Sequence, residues 1–355
     1  MEDVFAIQDE IALAVVDRLK VELLGGEKEK VLKRHTGNPE AYTEYLKARY
    51  FLARFTPDTL KKGLAHLQEA MAKDPGFTAA YVGTAETFAG MGILGFTAPA
   101  DILARAEEWL ARALVVEPGA PEASFVAALL SFWYDWDWNG AEAKFKQAFS
   151  HNPGHAAAHI WYAWYLAAMR RFDEAIEETQ VAQDLDPMMP FIPASSVGVY
   201  VYAREHARAL AEFEKAIEMD PANGLACFHM GTSYTMQKEP EKAIELFRKA
   251  IQFGTGAGWA EALLAGIYAR IGMKDQAELL LRQLLERREH EYVSAFCIAW
   301  VYDSLGQKAQ ALDWLDRAFQ ERDILVPLIN ILPAFDHLVD DPRYQSLVES
   351  LRFPS

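Results

Sequence analysis

Apolar residues recur along this chain at helical spacing, and the arrangement repeats itself. An alanine is followed four residues later by a large apolar residue, as at Ala141 and Phe145 or at Ala209 and Phe213. Residues four apart share one face of a helix, so each occurrence predicts an amphipathic helix with a buried stripe. The recurring small residues are Gly63, Ala106, Ala141, Ala175, Ala209, Ala243, Ala277 and Ala311. Their separations are 43 and 35 residues, followed by five consecutive intervals of 34.

A second helix is predicted in front of each of these. Another small residue lies about twelve positions earlier in most units, at Ala128, Ala163, Gly231, Ala265 and Ala299. Proline disfavours helical backbone in the residue before it and therefore marks helix ends. Prolines stand twelve residues after the first five anchors, at Pro75, Pro118, Pro153, Pro187 and Pro221. The period thus predicts units of two helices whose small residues meet where the backbones cross.

This pattern resembles the tetratricopeptide repeat (TPR), whose 34-residue signature is W-x2-L-G-x2-Y…A-x3-F…P. Met230, Gly231, Tyr234, Ala243 and Phe247 match one copy, although Thr255 stands at the place of its final proline. The resemblance covers residues 38–323. It implies an all-α fold, a right-handed α-solenoid of about eight helix pairs.

Two flanking segments lie outside the predicted array. Residues 1–37 are expected to form an amphipathic helix, over residues 3–24, and a linker. Residues 324–355 are expected to form a C-terminal capping segment, because the ends of a repeat array need a cap. Within it, residues 324–335 are strongly apolar and contain Pro327 and Pro333.

Three short stretches suggest a narrower resemblance. They are DVFAIQDEIALAVVDRLK near the start, YDWDW at 134–138 and PAFDHLVDDPRYQSL near the end. They resemble the C-terminal TPR region of bacterial signalling proteins in which a winged-helix, nucleotide-cyclase or kinase effector is joined through a TolB-like segment. The resemblance implies that an effector precedes Met1 in the full-length protein.

Composition narrows the function classes. The 355 residues carry a formal net charge of −16, which disfavours nucleic acid as a partner because phosphates would be repelled. No basic and apolar leader and no apolar stretch of about 20 residues is present, so membrane insertion by this region is not expected. Two cysteines indicate buried thiols in a reducing compartment. We therefore expect a cytoplasmic location, or a periplasmic one if a membrane span lies upstream.

Several motifs could carry chemistry, but each has a simpler structural interpretation. His151, His155 and His159 have metal-ligand spacing, yet Pro153 interrupts the helix and no third ligand is near. The glycines at 254–258 lack the strand and lysine of a phosphate loop. Asp137 is placed to cap a helix, and the tryptophans beside it are expected to pack on the neighbouring repeat. We therefore expect no enzyme activity, cofactor or metal.

The first helices of several repeats are apolar on every side, which indicates burial or binding on the extra face. In TPR arrays these helices line the concave groove. The predicted groove residues are Phe125, Leu129, Phe132, Trp133, Ile160, Trp161, Trp164, Tyr202, Phe228, Met236, Trp259, Phe296 and Trp300. Even half-exposed, these side chains would present on the order of 1,000 Å², more than the ~300–600 Å² of a typical monomer's largest apolar patch.

The groove is therefore expected to be filled. Its occupant could be the chain itself, through neighbouring helices of the superhelix or through residues 324–335, a second copy of the chain, or a foreign ligand. The favoured function is a non-catalytic interaction or sensor module that binds an apolar protein or peptide segment. A self-association module and a small-molecule-sensing domain are the alternatives. The interval of 43 residues also predicts an apolar loop within residues 90–101 that folds over adjacent helices or one end of the groove.

Overall fold

The computed structural model describes residues 36–53, 56–254, 256–335 and 337–354. These residues contain seventeen α-helices and no β-strand. The first sixteen helices form eight consecutive pairs, and α17 follows them. The helices are α1 (Pro39–Leu52), α2 (Pro57–Lys73), α3 (Thr78–Ile93), α4 (Pro99–Val116), α5 (Ala123–Leu130), α6 (Trp138–His151), α7 (Ala156–Ala168), α8 (Phe172–Leu185), α9 (Phe191–Tyr202), α10 (His206–Met219), α11 (Gly224–Met236), α12 (Pro240–Gln252), α13 (Trp259–Arg270), α14 (Lys274–Arg288), α15 (Ala295–Ser304), α16 (Lys308–Gln320) and α17 (Pro342–Ser350).

The predicted all-α solenoid of eight helix pairs is confirmed. All seven anchor alanines are fully buried. At Gly231 in α11, a Cβ atom would lie only 2.9 Å from Cε1 of Phe247 in α12, so the two helices cross too closely for a larger residue. The helix predicted for residues 3–24 lies outside the described residues.

The two helices of a pair have different surroundings. All thirteen residues of α7 are buried, whereas its partner α8 buries only Ala175, Thr179 and Ala182. The same contrast separates α9, which is buried throughout, from α10. The first helices therefore form the inside of the solenoid and the second helices its outer layer, as the all-round apolar pattern predicts.

A π-helix explains the single interval of 35 residues. It spans Ser131–Asp135, directly after α5, and is followed by Trp136 in the left-handed region with φ +60°. A π-helical turn accommodates one more residue than an α-helical turn. The extra residue between Ala106 and Ala141 is therefore absorbed without moving the anchor positions. Asp137 then caps α6 by accepting a hydrogen bond from the Gly140 amide (3.0 Å), as predicted.

The apolar insertion in the second repeat reaches across the solenoid. Helix α3 continues to Ile93, so only part of the predicted loop within residues 90–101 is non-helical. Gly95 then lies against the junction before α13: its φ is +71°, and a Cβ there would be 2.5 Å from the Ala257 Cβ. Only glycine satisfies both conditions. The insertion thus folds over distant helices, and residues of the second and seventh repeats come into contact.

Trp136 and Trp138 make a second set of contacts between residues that are far apart in the sequence. The expectation that they pack on the neighbouring repeat is wrong, because both contact the C-terminal part of the chain. The Trp138 Nε1–H donates to the Leu351 carbonyl (2.7 Å), and its ring stacks on Phe353 at 4.8 Å. Trp136 packs edge-on against Phe319 (5.6 Å). The third repeat is therefore joined to the end of the chain, and the solenoid closes on itself.

A carboxylate between the third and fourth repeats gives a pH-dependent prediction. Glu142 accepts hydrogen bonds from Arg171 (2.9 Å) and Tyr162 (3.1 Å) and pairs with Lys146 (2.8 Å). Burial raises the pKa of this carboxyl, but the bonds from Lys146 and Arg171 outweigh it and lower the pKa to about 2. A depressed pKa contributes stability above the unfolded-state value, and that stability is lost as the pH falls toward 2.

We expect Glu142→Gln to remove part of the acid sensitivity of folding. The free energy of unfolding should fall by about 1 kcal/mol at pH 7, after allowance for solvent screening, and should differ little from wild type near pH 2. Urea unfolding at pH 7, 4 and 2.5 measures this, with Glu245→Gln, at an exposed pair, as the control. An equal difference between variant and wild type at all three pH values would contradict the prediction.

Candidate binding site

Seven of the predicted groove residues come together around one central cavity. They are Trp133, Trp161, Trp164, Tyr202, Phe228, Trp259 and Trp300. Each is at most 6% exposed. The cavity has a volume of about 50 Å³. This is far below the ~300–1,000 Å³ of a site for a drug-sized ligand. The concave side is therefore a nearly filled aromatic interior and not an open groove.

The remaining predicted residues lie beside this cavity and not on its wall. Phe125, Leu129, Phe132, Ile160 and Phe296 are buried in helix packing, and Met236 is half-buried. Phe125, for example, packs against Phe145 in its own repeat at 6.4 Å. Neighbouring positions on a fully buried helix face different directions, so assigning the groove by hydrophobicity alone includes residues that face the second helix. A partner-binding role for all thirteen residues stays a prediction.

Several lining residues were absent from the predicted set. Ser195, His229 and Leu263 line the cavity, and they follow Trp161 at successive intervals of 34. They occupy the same repeat position as Trp161 but include a serine and a histidine, so an apolar criterion passes over them. Adding 34 residues successively to the position of Trp161 identifies all three.

A stretch of the chain itself closes the cavity. Ile324, Leu325, Leu328 and Leu332 form one wall of it. They belong to residues 324–335, which we call the plug. Apart from Asn330 and Pro333, the described side chains of the plug are buried. Of the three occupants considered for the groove, the chain's own segment is the one present in this structure.

The backbone of the plug is bonded locally. It contains a 3₁₀ turn at Val326–Leu328, and six of its amides donate to carbonyls two to four residues earlier, as Ile329 does to Val326 (3.1 Å). Hydrogen bonds to the rest of the protein are made by the residue just before the plug. The buried carboxylate of Asp323 accepts from the Ser294 hydroxyl (2.7 Å) and the Phe296 amide (3.2 Å). The plug is thus held in the interior by apolar side chains, as a bound peptide would be.

The side chains that carry polar atoms at the cavity are tightly packed. The Trp164 Nε1–H donates to the Ser195 hydroxyl (2.7 Å), and its ring lies 5.4 Å from that of His229. At Gly198 a Cβ would lie 2.5 Å from the Trp164 ring and 2.7 Å from His229. Burial lowers the pKa of His229 to about 3, so its imidazole is neutral at physiological pH.

The other candidate groups have structural roles in this fold. His159 bonds Glu178 through Nδ1 (2.5 Å) and the Pro153 carbonyl through Nε2 (2.9 Å), while His155 packs against the Phe125 ring (4.9 Å). In the described ranges no group of three or more His, Cys, Asp or Glu side chains is placed to hold a metal ion. Cys227 and Cys297 are buried free thiols. Burial raises the pKa of the Cys227 thiol to about 11, which keeps it protonated and unreactive.

The fold and its filled interior define an α-solenoid repeat protein. Family models described as tetratricopeptide repeat match residues 136–188 and residues 199–258. Together with the helix pairs and their 34-residue period, these matches show that the chain contains tetratricopeptide repeats. TPR repeats are protein-interaction modules and are generally non-catalytic. No helix within the described residues has the length and apolarity needed to cross a membrane.

Curated relatives match only part of this chain. A putative adenylate cyclase 3 of Rhizobium meliloti is 28% identical over 141 residues, which is 38% of this chain and 23% of that protein. The transcriptional regulator HilA of Salmonella typhimurium is 24% identical over 143 residues, 40% of this chain and 26% of HilA. The matched region thus spans about a quarter of these relatives. Their names agree with the resemblance to bacterial signalling regulators.

Among solved structures, the human IFIT1 dimer with m7Gppp-AAAA is similar over most of the solenoid. The TM-score is 0.55 at 13% sequence identity, covering 88% of this chain and 76% of that one. At this identity the likeness concerns the fold alone.

Proposed function

We propose that this chain is the non-catalytic interaction module of a larger bacterial signalling protein and that its plug is an internal ligand of the concave face. A partner protein would bind by inserting a segment of similar chemistry, apolar and proline-containing, where the plug lies. One observation carries the proposal: the aromatic interior contacts a segment that is held by side chains and whose own backbone bonds are local.

Competition makes such binding energetically feasible. Each buried Leu or Ile side chain contributes about 1.5–3 kcal/mol, so an empty groove would be strongly unfavourable. A partner whose apolar side chains take the places of those of the plug removes that penalty. A partner without such side chains does not. Specificity for one partner segment over another would therefore come from how well its side chains fit against Trp161 and Trp164. Aromatic residues of this kind are typical hot spots of binding.

The acidic net charge of −16 favours a protein over nucleic acid as the partner. We infer attachment to an effector from the names of the relatives. We infer a cytoplasmic location from the two buried thiols, which are typical of a reducing compartment. Self-association is the second possibility, because the plug of another copy has by definition the required chemistry.

The test uses the full chain and a peptide with the sequence of residues 324–335 carrying two added lysines for solubility. In the variant Leu328→Asp/Leu332→Asp, buried charges should release the plug, since ionised carboxylates are costly in an apolar interior. We expect fluorescence anisotropy to show at least tenfold tighter peptide binding than for wild type. Val339→Asp, at a position 49% exposed, is the matched control and should behave as wild type.

Two measurements keep this result interpretable. Circular dichroism reports whether the variant is still helical, and Leu328→Ala/Leu332→Ala provides a milder release if the acidic variant unfolds. A helical variant with solvent-exposed tryptophans that binds the peptide no better than wild type would refute the proposed function. Light scattering that shows a dimer of wild type, lost in the acidic variant, would favour self-association instead.

A further inference from the structure

The last helix of the chain lies on the protein with little burial of its own. No residue of α17 is buried, and its apolar side chains Tyr344, Leu347 and Val348 are only half-buried against the core. The residue after the helix, Leu351, is by contrast 3% exposed. We call residues 342–353 the strap. Its best-buried residue therefore lies near its far end, beyond the helix.

The far end of the strap is attached to the third repeat. The Leu351 carbonyl accepts the hydrogen bond from Trp138, and Phe353 stacks on the same indole ring. At the near end, Arg343 pairs with two carboxylates of α16, but these groups are exposed, and exposed ion pairs contribute little to stability. The contact with Trp138 is thus the firmest attachment of the strap.

The strap also contacts the end of the plug. The ring of Phe335, the last plug residue, packs against Phe296 of α15 at 5.0 Å and against Tyr344 of the strap at 5.9 Å. Phe335 is 1% exposed. The other end of the plug is held by a different kind of contact, the hydrogen bonds that buried Asp323 accepts from Ser294 and Phe296. One end of the plug therefore follows a buried polar anchor, and the strap helps to hold the other.

We propose that the strap controls the opening of the plug: the closed solenoid opens first at the Trp138 contact, and the plug then leaves the interior from its Phe335 end with Asp323 as the hinge. Local opening begins in segments that bury little apolar surface, and α17 is such a segment. This order of opening rests on the proposed function, since it concerns how the same concave face becomes accessible. A partner would then not need to displace every plug side chain in one step.

The test uses the full chain with one reporter thiol at either end of the plug, Leu325→Cys near the anchor or Leu332→Cys near the strap. Both positions are buried. Each reporter is labelled with DTNB, with and without the strap substitutions Leu351→Ala/Phe353→Ala. These should speed labelling at position 332 by at least about tenfold and at position 325 by less than about threefold, because opening starts at the strap. Glu349→Ala, at an exposed position of α17, is the matched control and should change neither rate.

Two readouts separate local opening from unfolding. Mass spectrometry distinguishes the reporter from the native Cys227, which is buried in α11 and reports on the repeat array. Circular dichroism reports the helix content. If the double variant loses helicity, Phe353→Ala alone repeats the comparison, because it removes the ring stacked on Trp138 and keeps the Leu351 side chain.

Faster labelling at position 332, with position 325 and Cys227 still protected, supports control by the strap. Unchanged rates at both reporters overturn it, because the plug would then open independently of the strap. Equal acceleration at positions 325 and 332 and at Cys227 also overturns it, since the strap would then be a part of the global fold. No peptide enters this experiment, so its failure is distinguishable from a failure of the concave face to bind a partner.

Discussion

Trp164→Ala is expected to lower the free energy of unfolding by about 3–5 kcal/mol, a core-sized effect. Trp164 is 5% exposed, bonds Ser195, and packs against His229 and Tyr202 at ring distances of 5.4 and 5.8 Å. Alanine removes all of these contacts and leaves a void where the ring lay against Gly198. Urea unfolding followed by circular dichroism measures the loss.

Two further variants separate packing from the hydrogen bond. Trp164→Phe keeps an aromatic ring but loses the bond to Ser195 and should cost about 1–2 kcal/mol. Met188→Ala, at a side chain 76% exposed, should change stability by less than about 0.5 kcal/mol. A Trp164→Ala chain as stable as the Met188→Ala chain would show that this residue faces an open groove after all.

This expectation affects how binding experiments on the concave face are designed. An alanine at Trp161 or Trp164 removes part of the protein interior, so a loss of partner capture would report reduced stability as well as a lost contact. Changes in the plug alter no residue of the sixteen paired helices, and circular dichroism checks that those helices remain folded. The acidic variant at Leu328 and Leu332 is for this reason the sharper test of partner binding.

The sequence predicts the helix pairs well because each pair depends on local spacing. Anchors such as Ala209 and Ala243 recur every 34 residues, and the residues that meet at a crossing are close in the chain. Even the interval of 35 has a local cause in the π-helix at Ser131–Asp135. Local periodicity is sufficient for these features because a repeat array is built from contacts between neighbours.

The closure of the solenoid could not be predicted in this way. Trp138 and Leu351 are 213 positions apart, and nothing in the period indicates that the two ends of the array meet. That contact depends on the small rotation between successive repeats, summed over the whole array. The same is true of Gly95 against Ala257. Whether the aromatic residues are exposed or buried depends on this closure. From the sequence alone, a groove filled by the chain itself is therefore only one of three possibilities.

Thiol labelling tests most directly whether residues 324–335 occupy the concave face. In Leu328→Cys the new thiol would lie in the interior, where Leu328 is 5% exposed, and in Val339→Cys it would be accessible. The native Cys227 and Cys297 are buried and contribute a slow background. Releasing the plug exposes several side chains worth about 1.5–3 kcal/mol each. A net opening free energy of about 4 kcal/mol corresponds to about 1,000-fold protection.

We therefore predict that a disulfide reagent such as DTNB labels the native Leu328→Cys chain about 1,000 times more slowly than the Val339→Cys chain, and that the difference disappears in urea. Labelling of the two native chains at rates within tenfold of each other would contradict the account, because the plug would then be open to solvent.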